Sequence, residues 1–157
     1  MKGRSTTLSF ERTSPVPASK VLAAAADFSS RRPSVFPAVS IKHMTVHDEG
    51  AVTADVTEGT FAGVGVNWER CTYDWSQPGS VLATVTDSNV YAFPGSSWEL
   101  RATPADTGSR VEMIWIRTFR TTIRGRIFGT LFRLVGRPMF SRGVNQILRN
   151  IEKLESS

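Results

Sequence analysis

The chain has 157 residues, of which 40% are hydrophobic, and 19 basic side chains against 14 acidic ones give a formal net charge of +5. A chain of this length buries about 70% of its unfolded surface, so we expect one globular domain over residues 1–157. The single cysteine, Cys71, excludes an internal disulfide, and no apolar run approaches the about 20 residues of a membrane-spanning helix.

Basic charge is concentrated in the C-terminal third of the chain. Between Met113 and Ile151 there are eight arginines and no Asp or Glu. This asymmetry allows an anionic partner, although a helix with one solvent-exposed face has the same composition. The N-terminal segment MKGRSTTLSFE lacks the apolar run of a signal peptide, so we expect a cytoplasmic protein.

The first part of the chain predicts a strand followed by two helices. Residues 7–13 alternate apolar and polar side chains as a half-buried strand does, and Pro15 and Pro17 end the pattern. A helix is expected next over PASKVLAAAAD, with Pro17 in its first turn. Prolines in the following segment, DFSSRRPSVFPAVS, allow only a short second helix.

Three hairpins are predicted after these helices. In the first, a turn at residues 48–50 places His47 opposite Ala51 and His43 opposite Asp55. One apolar face then contains Met44, Val46, Val52, Ala54 and Val56. The middle hairpin, with strands at 64–75 and 80–87, leaves open which face points inward.

The last hairpin joins residues 98–103 to residues 109–119 through the turn PADTG. One register gives an apolar face and a cross-strand ion pair, because it pairs Trp98 with Trp115, Leu100 with Met113, Ala102 with Val111 and Arg101 with Glu112.

The C-terminal segment predicts an amphipathic helix over about residues 125–155. Its first half has an apolar arc of Ile127, Phe128, Leu131, Phe132, Leu134 and Val135, opposite Arg126, Arg133 and Arg137. After Pro138 the apolar arc changes sides and contains Phe140, Val144, Ile147, Leu148, Ile151 and Leu154. Gly136 and Pro138 therefore predict a break or kink that lets both halves face one core.

Four features of the sequence indicate a family. They are the element order, the proline-bounded segment DFSSRRPSVFP, the GSRV entry into the last strand and the C-terminal NIEKLE. The chain resembles the START-like (SRPBCC) superfamily, in particular its polyketide cyclase/dehydrase branch, over nearly its whole length. This implies an α+β helix-grip fold: a curved seven-stranded antiparallel sheet wrapped around a long C-terminal helix, with two short helices after the first strand. Members hold lipids, sterols, polyketides, quinones or plant hormones in a hydrophobic cavity, and only some are enzymes.

An apolar wall with a few polar groups is typical of a small-molecule site, although an aromatic strand face is also typical of plain core. The residues predicted to bind a ligand are Glu58, Trp98, Met113, Trp115, Arg117, Phe119, Phe128, Phe132 and Met139. Strand parity points Glu58 and Arg117 inward. We hypothesise that Arg117 anchors a polar head of the ligand and that Glu58 orients it or acts as a base; alternatively, both lie in water at the sheet rims.

The remaining reactive residue types predict no catalytic or metal site. His43 and Asp55 resemble two members of a hydrolase triad, but no nucleophile-elbow sequence supplies a serine. His43 and His47 lie about 13 Å apart along a strand, too far to share a metal. Cys71 is expected to be structural. A P-loop, a dinucleotide fingerprint and zinc-ligand spacing are all missing, so neither a cofactor nor a metal is expected.

Three functions are compatible with these patterns. The first is binding of a hydrophobic small molecule, lipid, polyketide or quinone-like, between sheet and C-terminal helix. The second is an aromatase/cyclase acting on a polyketide chain, with catalytic residues that the sequence leaves unknown. The third is an interaction protein whose Arg126, Arg133 and Arg137 contact RNA, the ribosome or an anionic membrane; DNA is not expected. The surplus apolar width of the helix could line a ligand entrance or form a homodimer contact.

Overall fold

A seven-stranded antiparallel sheet and three α-helices form the described part of the chain, which comprises residues 5–61, 65–91, 93 and 95–157 of a computed structural model. The elements are β1 Thr6–Ser14, α1 Ala18–Ala25, α2 Arg32–Val35, a 3-10 helix Ile41–His43, β2 Thr45–Glu49, β3 Thr53–Phe61, β4 Val66–Asp74, β5 Ser80–Ser88, β6 Ser97–Pro104, β7 Ser109–Arg117 and α3 Ile123–Glu155. Within those ranges, no helix is long and apolar enough to cross a membrane.

The strand order explains how the sheet encloses a core. The strands lie in the order β1-β7-β6-β5-β4-β3-β2, so β1 and β2 form opposite edges. In β1, Leu8 faces Trp115 and Phe10 faces Met113 of β7. Helices α1 and α2 carry the chain between the two edges, and α3 packs on the buried face, where the ring of Phe140 lies 4.9 Å from that of Trp115. This is the helix-grip fold that the sequence predicts.

The predicted register of the β6–β7 hairpin is confirmed. Trp98 pairs with Trp115 and Ala102 with Val111, and these side chains are buried. On the opposite face, Arg101 Nη1 lies 3.6 Å from Glu112 Oε1. The pattern determined this register because one face of the hairpin is apolar and the other is charged.

The predicted register of the β2–β3 hairpin is wrong. Val46 lies opposite Val56, a bulge follows, and Glu49 lies opposite Ala54. The turn comes later than expected, and the backbone N–H of Gly50 donates a hydrogen bond to the carbonyl of Thr53 at 2.8 Å. All of β2 is exposed, so no buried face selects its register.

The predicted break in the C-terminal helix is wrong, because α3 is one helix of 33 residues with Pro138 inside it. The alternative that the sequence left open, a kink at Gly136 and Pro138, stays a prediction. Its second half buries Val144, Ile147, Leu148 and Ile151, as the apolar pattern indicates.

In the first half of α3, however, the predicted apolar arc points mainly outward. The buried residues there are Gly125, Gly129, Phe132 and Gly136, whereas Ile127, Leu131, Leu134 and Val135 are exposed. The apolar pattern predicts the core side of a helix from its largest apolar side chains. Here, instead, small residues let the helix backbone lie close to its neighbours.

Gly125 is the tightest of these contacts. It lies in the first turn of α3, where its backbone N–H donates to Thr122 Oγ1 at 3.2 Å. A Cβ at this position would lie only 2.0 Å from the backbone oxygen of Arg120.

We therefore expect Gly125→Ala to lower the free energy of unfolding by about 1–3 kcal/mol, because the added methyl group forces a backbone shift. Gly143→Ala in the same helix is the control: a Cβ there meets nothing within 4 Å, so the alanine should raise stability by up to about 1 kcal/mol. Urea denaturation followed by circular dichroism measures both. Equal effects of the two substitutions would contradict the close packing at Gly125.

Candidate functional site

A cavity of about 370 Å³ lies between the sheet and α3. Its apolar wall includes Trp68, Trp98, Met113, Trp115, Phe140 and Ile147. Two other lining residues, Ala38 and Met139, are exposed, so the cavity meets solvent on the side where they lie. A concave apolar space with a few polar groups is the usual form of a small-molecule site, and this volume is at the small end of the usual range of about 300–1000 Å³.

The structure brings together six of the nine residues that the sequence predicts as ligand-binding. The cavity is lined by Glu58, Trp98, Met113, Trp115, Arg117 and Met139. Their contact with a ligand stays a prediction.

The other three predicted residues, Phe119, Phe128 and Phe132, do not line the cavity. The ring of Phe132 lies 5.3 Å from those of Phe119 and Phe140, so it packs within the core. Phe128 is half-buried on α3. Of the three, only Phe128 is affected by the outward orientation of the first half of α3; Phe119 and Phe132 face inward as expected but pack against each other instead of lining the cavity.

A buried arginine holds the first polar cluster of the cavity, which consists of Arg32, Glu58 and Tyr73. Arg32 Nε donates to Glu58 Oε1 at 2.6 Å, and Tyr73 Oη donates to Glu58 Oε2 at 2.5 Å. Arg32 Nη1 also donates to the carbonyl of Ala25 at 2.7 Å. The guanidinium lies over the rings of Phe28 and Phe36, 4.5 and 4.2 Å from their centroids, which adds cation–π attraction.

The local sequence explains how these groups reach the interior. Glu58 continues the inward parity of Ala54 and Val56 on β3, and Arg32 begins the short helix α2, whose Pro33 occupies the first turn. Burial acts to lower the pKa of Arg32, but Glu58 and Tyr73 outweigh it and raise the pKa above its ordinary value. The arginine therefore stays charged.

This geometry argues against the hypothesis that Glu58 acts as a base. Both of its carboxylate oxygens accept hydrogen bonds from buried donors. Glu58 is instead part of the scaffold, where it neutralises Arg32.

The second polar cluster of the cavity consists of Arg117, Glu69 and Tyr91. Arg117 is 4% exposed, its Nη1 donates to Glu69 Oε2 at 3.2 Å, and its guanidinium lies 4.3 Å from the centroid of the Tyr91 ring. Among the described residues, Arg117 Nε is buried without a hydrogen-bond partner. Because buried N–H groups are almost always paired, this donor is an exception among the described residues.

Glu69 is the acidic group of this cluster. Burial raises the pKa of Glu69, the neighbouring Glu58 adds to the rise, and Arg117 opposes it without cancelling it. Glu58 and Glu69 lie directly opposite each other on β3 and β4, so the two carboxylates share one end of the cavity. Burial also acts to lower the pKa of Arg117, but Glu69 and Tyr91 outweigh it, so the guanidinium stays charged.

Sequence reasoning missed Arg32, Glu69, Tyr73 and Tyr91. For Glu69 a signal existed: once Glu58 is placed inward, the residue opposite it on the next strand must also face inward. The alternation of side chains along β4 did not by itself show which face of the strand points inward. Nothing distinguished Arg32 from its neighbour Arg31, which is exposed and paired with Asp27 at 2.8 Å.

The remaining candidate residues lie outside the cavity lining. His43 belongs to the 3-10 helix, and Asp55 pairs with Arg70 rather than with a histidine. His47 Nε2 lies 2.7 Å from Thr57 Oγ1 on the exposed edge. Burial raises the pKa of the Cys71 thiol far above its ordinary value, which leaves it unreactive. In the ranges that the structure describes, no three metal-ligating side chains lie together.

The Arg32 cluster predicts a strong energetic coupling. Arg32→Met should lower the free energy of unfolding by about 3–5 kcal/mol, because it leaves Glu58 charged and unpaired in the interior. Adding Glu58→Gln should recover part of this loss. Urea denaturation of the two single variants and the double variant gives the coupling energy.

The pair Arg70–Asp55 is a matched control, because it has the same 2.6 Å separation but lies on the surface. Arg70→Met should cost less than about 1 kcal/mol. If Arg32→Met cost no more than Arg70→Met, the buried pair would not be a stabilising part of the scaffold.

Comparison with known proteins identifies the family. The model of the family described as "Polyketide cyclase / dehydrase and lipid transport" matches residues 5–154. A comparison with curated proteins finds no significant sequence match.

Solved structures show the same fold. The Zhui aromatase/cyclase from Streptomyces sp. R1128 superposes with a TM-score of 0.76 at 15% identity, covering 96% of this chain and 95% of that one. A protein from Thermus thermophilus gives 0.74 at 17% identity, with 97% and 99% covered. A START superfamily protein from Mycobacterium smegmatis gives 0.69 at 8% identity, again with 97% and 99% covered. With its cavity, its helix-grip fold and a family match over nearly its whole length, the chain belongs to the polyketide cyclase / dehydrase and lipid transport family.

Proposed function

We propose that the protein binds a compact hydrophobic molecule in the cavity, with a hydrogen-bond acceptor of that molecule placed at Arg117 Nε. The observation that carries this proposal is the buried, unpaired Nε–H group of Arg117, a residue that lines an otherwise largely apolar cavity. A buried donor without an acceptor costs about 1–3 kcal/mol, and a suitable ligand removes that cost.

The charges of the site indicate which acceptor fits. Glu69 already balances the charge of Arg117, so the ligand need not carry a negative charge. A ketone, quinone or phenol oxygen meets the requirement, because each accepts a hydrogen bond at low desolvation cost compared with a carboxylate. The aromatic wall suits flat rings, which pack edge-on or offset against tryptophan. The cavity volume of about 370 Å³ favours a small ring system over a long-chain lipid.

Two probes of nearly equal size test this assignment. We expect 2-acetylnaphthalene, which carries a ketone, to bind more tightly than 2-ethylnaphthalene, which lacks the oxygen. A hydrogen bond from a charged donor contributes about 1.5–3 kcal/mol, which corresponds to a preference of about 10- to 100-fold in Kd. Isothermal titration calorimetry measures both affinities.

The matched variant is Arg117→Met combined with Glu69→Gln, which removes the donor without leaving a buried carboxylate unpaired. It should bind both probes with similar affinity, near that of 2-ethylnaphthalene for the unmodified protein. Retention of the ketone preference by this variant, or the absence of binding of either probe to the unmodified protein, would contradict the proposal.

The position of Glu69 favours a second candidate function, aromatase/cyclase activity on a poly-β-keto chain. A carbonyl accepting from Arg117 is polarised, and the ionised Glu69 carboxylate beside it can remove a proton from the adjacent carbon. The resulting carbanion attacks a second carbonyl, and the new carbon–carbon bond leaves an alkoxide that takes the proton back. Loss of water then gives the unsaturated ring. The raised pKa of Glu69 suits a group that both takes and returns a proton.

The test uses a synthetic tri-β-ketone thioester, with cyclised product measured by mass spectrometry. Catalysis predicts that the protein accelerates ring closure and that Glu69→Gln lowers kcat by about 10²- to 10⁴-fold. Glu112→Gln, a half-buried carboxylate outside the cavity lining, is the control and should leave kcat unchanged. If the protein does not accelerate cyclisation above the rate in buffer, this second candidate is rejected, and the binding proposal is then judged by the naphthalene probes alone.

A further inference from the structure

An apolar row lies on the outer side of the first half of α3. It consists of Ile123, Ile127, Leu131, Leu134, Val135 and Met139, all of them exposed, with Ile123 at 80% and Leu134 at 73%. Their spacing of mostly three or four residues places them along one side of the helix. Because Gly125, Gly129 and Gly136 occupy the buried side, these large apolar groups are left exposed to solvent. Contiguous exposed apolar surface of this kind indicates an interaction site.

Arginines border this apolar row. Arg126, Arg133, Arg137 and Arg142 are exposed on the same helix, and none of them forms an ion pair within the part of the chain that the structure describes. No acidic residue occurs between Glu112 and Glu152. A helix with apolar groups on one side and basic groups beside them has the composition of helices that lie in the interface of an anionic membrane.

The positive charge of the helix distinguishes between two partners that could cover this surface, a second copy of the chain and an anionic bilayer. A second copy of the chain, packed on the same helix face, would bring two sets of arginines together with no carboxylate to neutralise them. An anionic bilayer supplies apolar depth for the row and phosphates for the arginines, whose long stems allow the guanidinium groups to reach the headgroups.

We propose that the first half of α3 is a docking surface for an anionic phospholipid membrane, with the apolar row at the level of the upper acyl chains and the arginines at the phosphates. Met139 connects this surface to the cavity, because it belongs to the apolar row and also lines the cavity. The docked protein therefore presents the open side of the cavity toward the bilayer. This last point rests on the proposed ligand-binding function; the docking itself does not.

Co-sedimentation with vesicles tests the proposal on the full chain. One set of vesicles contains phosphatidylcholine alone, and the other contains about one third phosphatidylglycerol. We expect at least about tenfold tighter binding to the anionic vesicles, with weakening as salt is raised. Ile123→Ser with Leu134→Ser should weaken binding by at least about tenfold. Arg126→Gln, Arg133→Gln and Arg137→Gln together should remove the preference for anionic vesicles.

Two controls match these variants. Leu82→Ser with Ile116→Ser removes exposed apolar groups from the outer face of the sheet, and Arg31→Gln, Arg101→Gln and Arg110→Gln remove the same number of positive charges elsewhere. Both should bind as the unmodified protein does. The variant Arg117→Met with Glu69→Gln should also keep vesicle binding, which separates docking from occupation of the cavity by a lipid.

Three results would overturn the proposal. The first is no binding to either kind of vesicle. The second is equal loss of binding in the helix variants and in their controls. The third is a dimer in sedimentation analysis that Leu134→Ser dissociates, without vesicle binding, because it would show that a second copy of the chain covers the row.

Discussion

Two arginine–glutamate pairs, one fully buried and one with a half-buried glutamate, lie within one small cavity and restrict how the surrounding elements can pack. Arg32 with Glu58 and Arg117 with Glu69 bring four ionisable groups into a space whose remaining walls are largely apolar. Each charge is acceptable only because its partner is held at hydrogen-bond distance, and leaving one partner alone costs several kcal/mol. Helix α2 and strands β3, β4 and β7 supply these partners.

The two pairs differ in whether all of their buried polar groups have hydrogen-bond partners. In the Arg32 cluster, both oxygens of Glu58 accept hydrogen bonds and the guanidinium is further held by two aromatic rings, so the cluster is complete without a ligand. In the Arg117 cluster, one buried N–H group lacks an acceptor. The first pair therefore acts as scaffold, and the second is where we propose that an added molecule gains a hydrogen bond. Glu58 accepts hydrogen bonds at both of its carboxylate oxygens, whereas burial raises the pKa of Glu69 above its ordinary value.

Sequence patterns predicted the fold where burial distinguished the two faces of an element. The β6–β7 hairpin could be registered because apolar and charged residues alternate, and Glu58 and Arg117 could be placed inward by strand parity. The β2–β3 register failed because β2 is exposed along its length. The orientation predicted for the first half of α3 was wrong because its buried side contains mainly glycines, whereas most of its large apolar residues are exposed. Arg32 could not be predicted, since only the tertiary structure separates it from the exposed Arg31.

The outward orientation of the first half of α3 underlies the proposed membrane docking. The apolar row on α3 has the composition of a core surface but is exposed, so we propose that it contacts a second apolar environment. The bordering arginines favour an environment that carries negative charge. Cavity and helix surface meet at Met139, so a ligand that partitions into a membrane could reach the site without crossing bulk water.

On the proposed function, Arg117 Nε–H donates its hydrogen bond to the ligand, and the ¹⁵N–¹H NMR signal of this group reports on that bond. The signal is assigned by its loss in the Arg117→Met, Glu69→Gln variant. On addition of 2-acetylnaphthalene, we expect a downfield proton shift and slower exchange with water for this signal, and neither change with 2-ethylnaphthalene. An unchanged Arg117 Nε–H signal, while the indole signals of Trp98 and Trp115 shift with bound ketone, would contradict the claim.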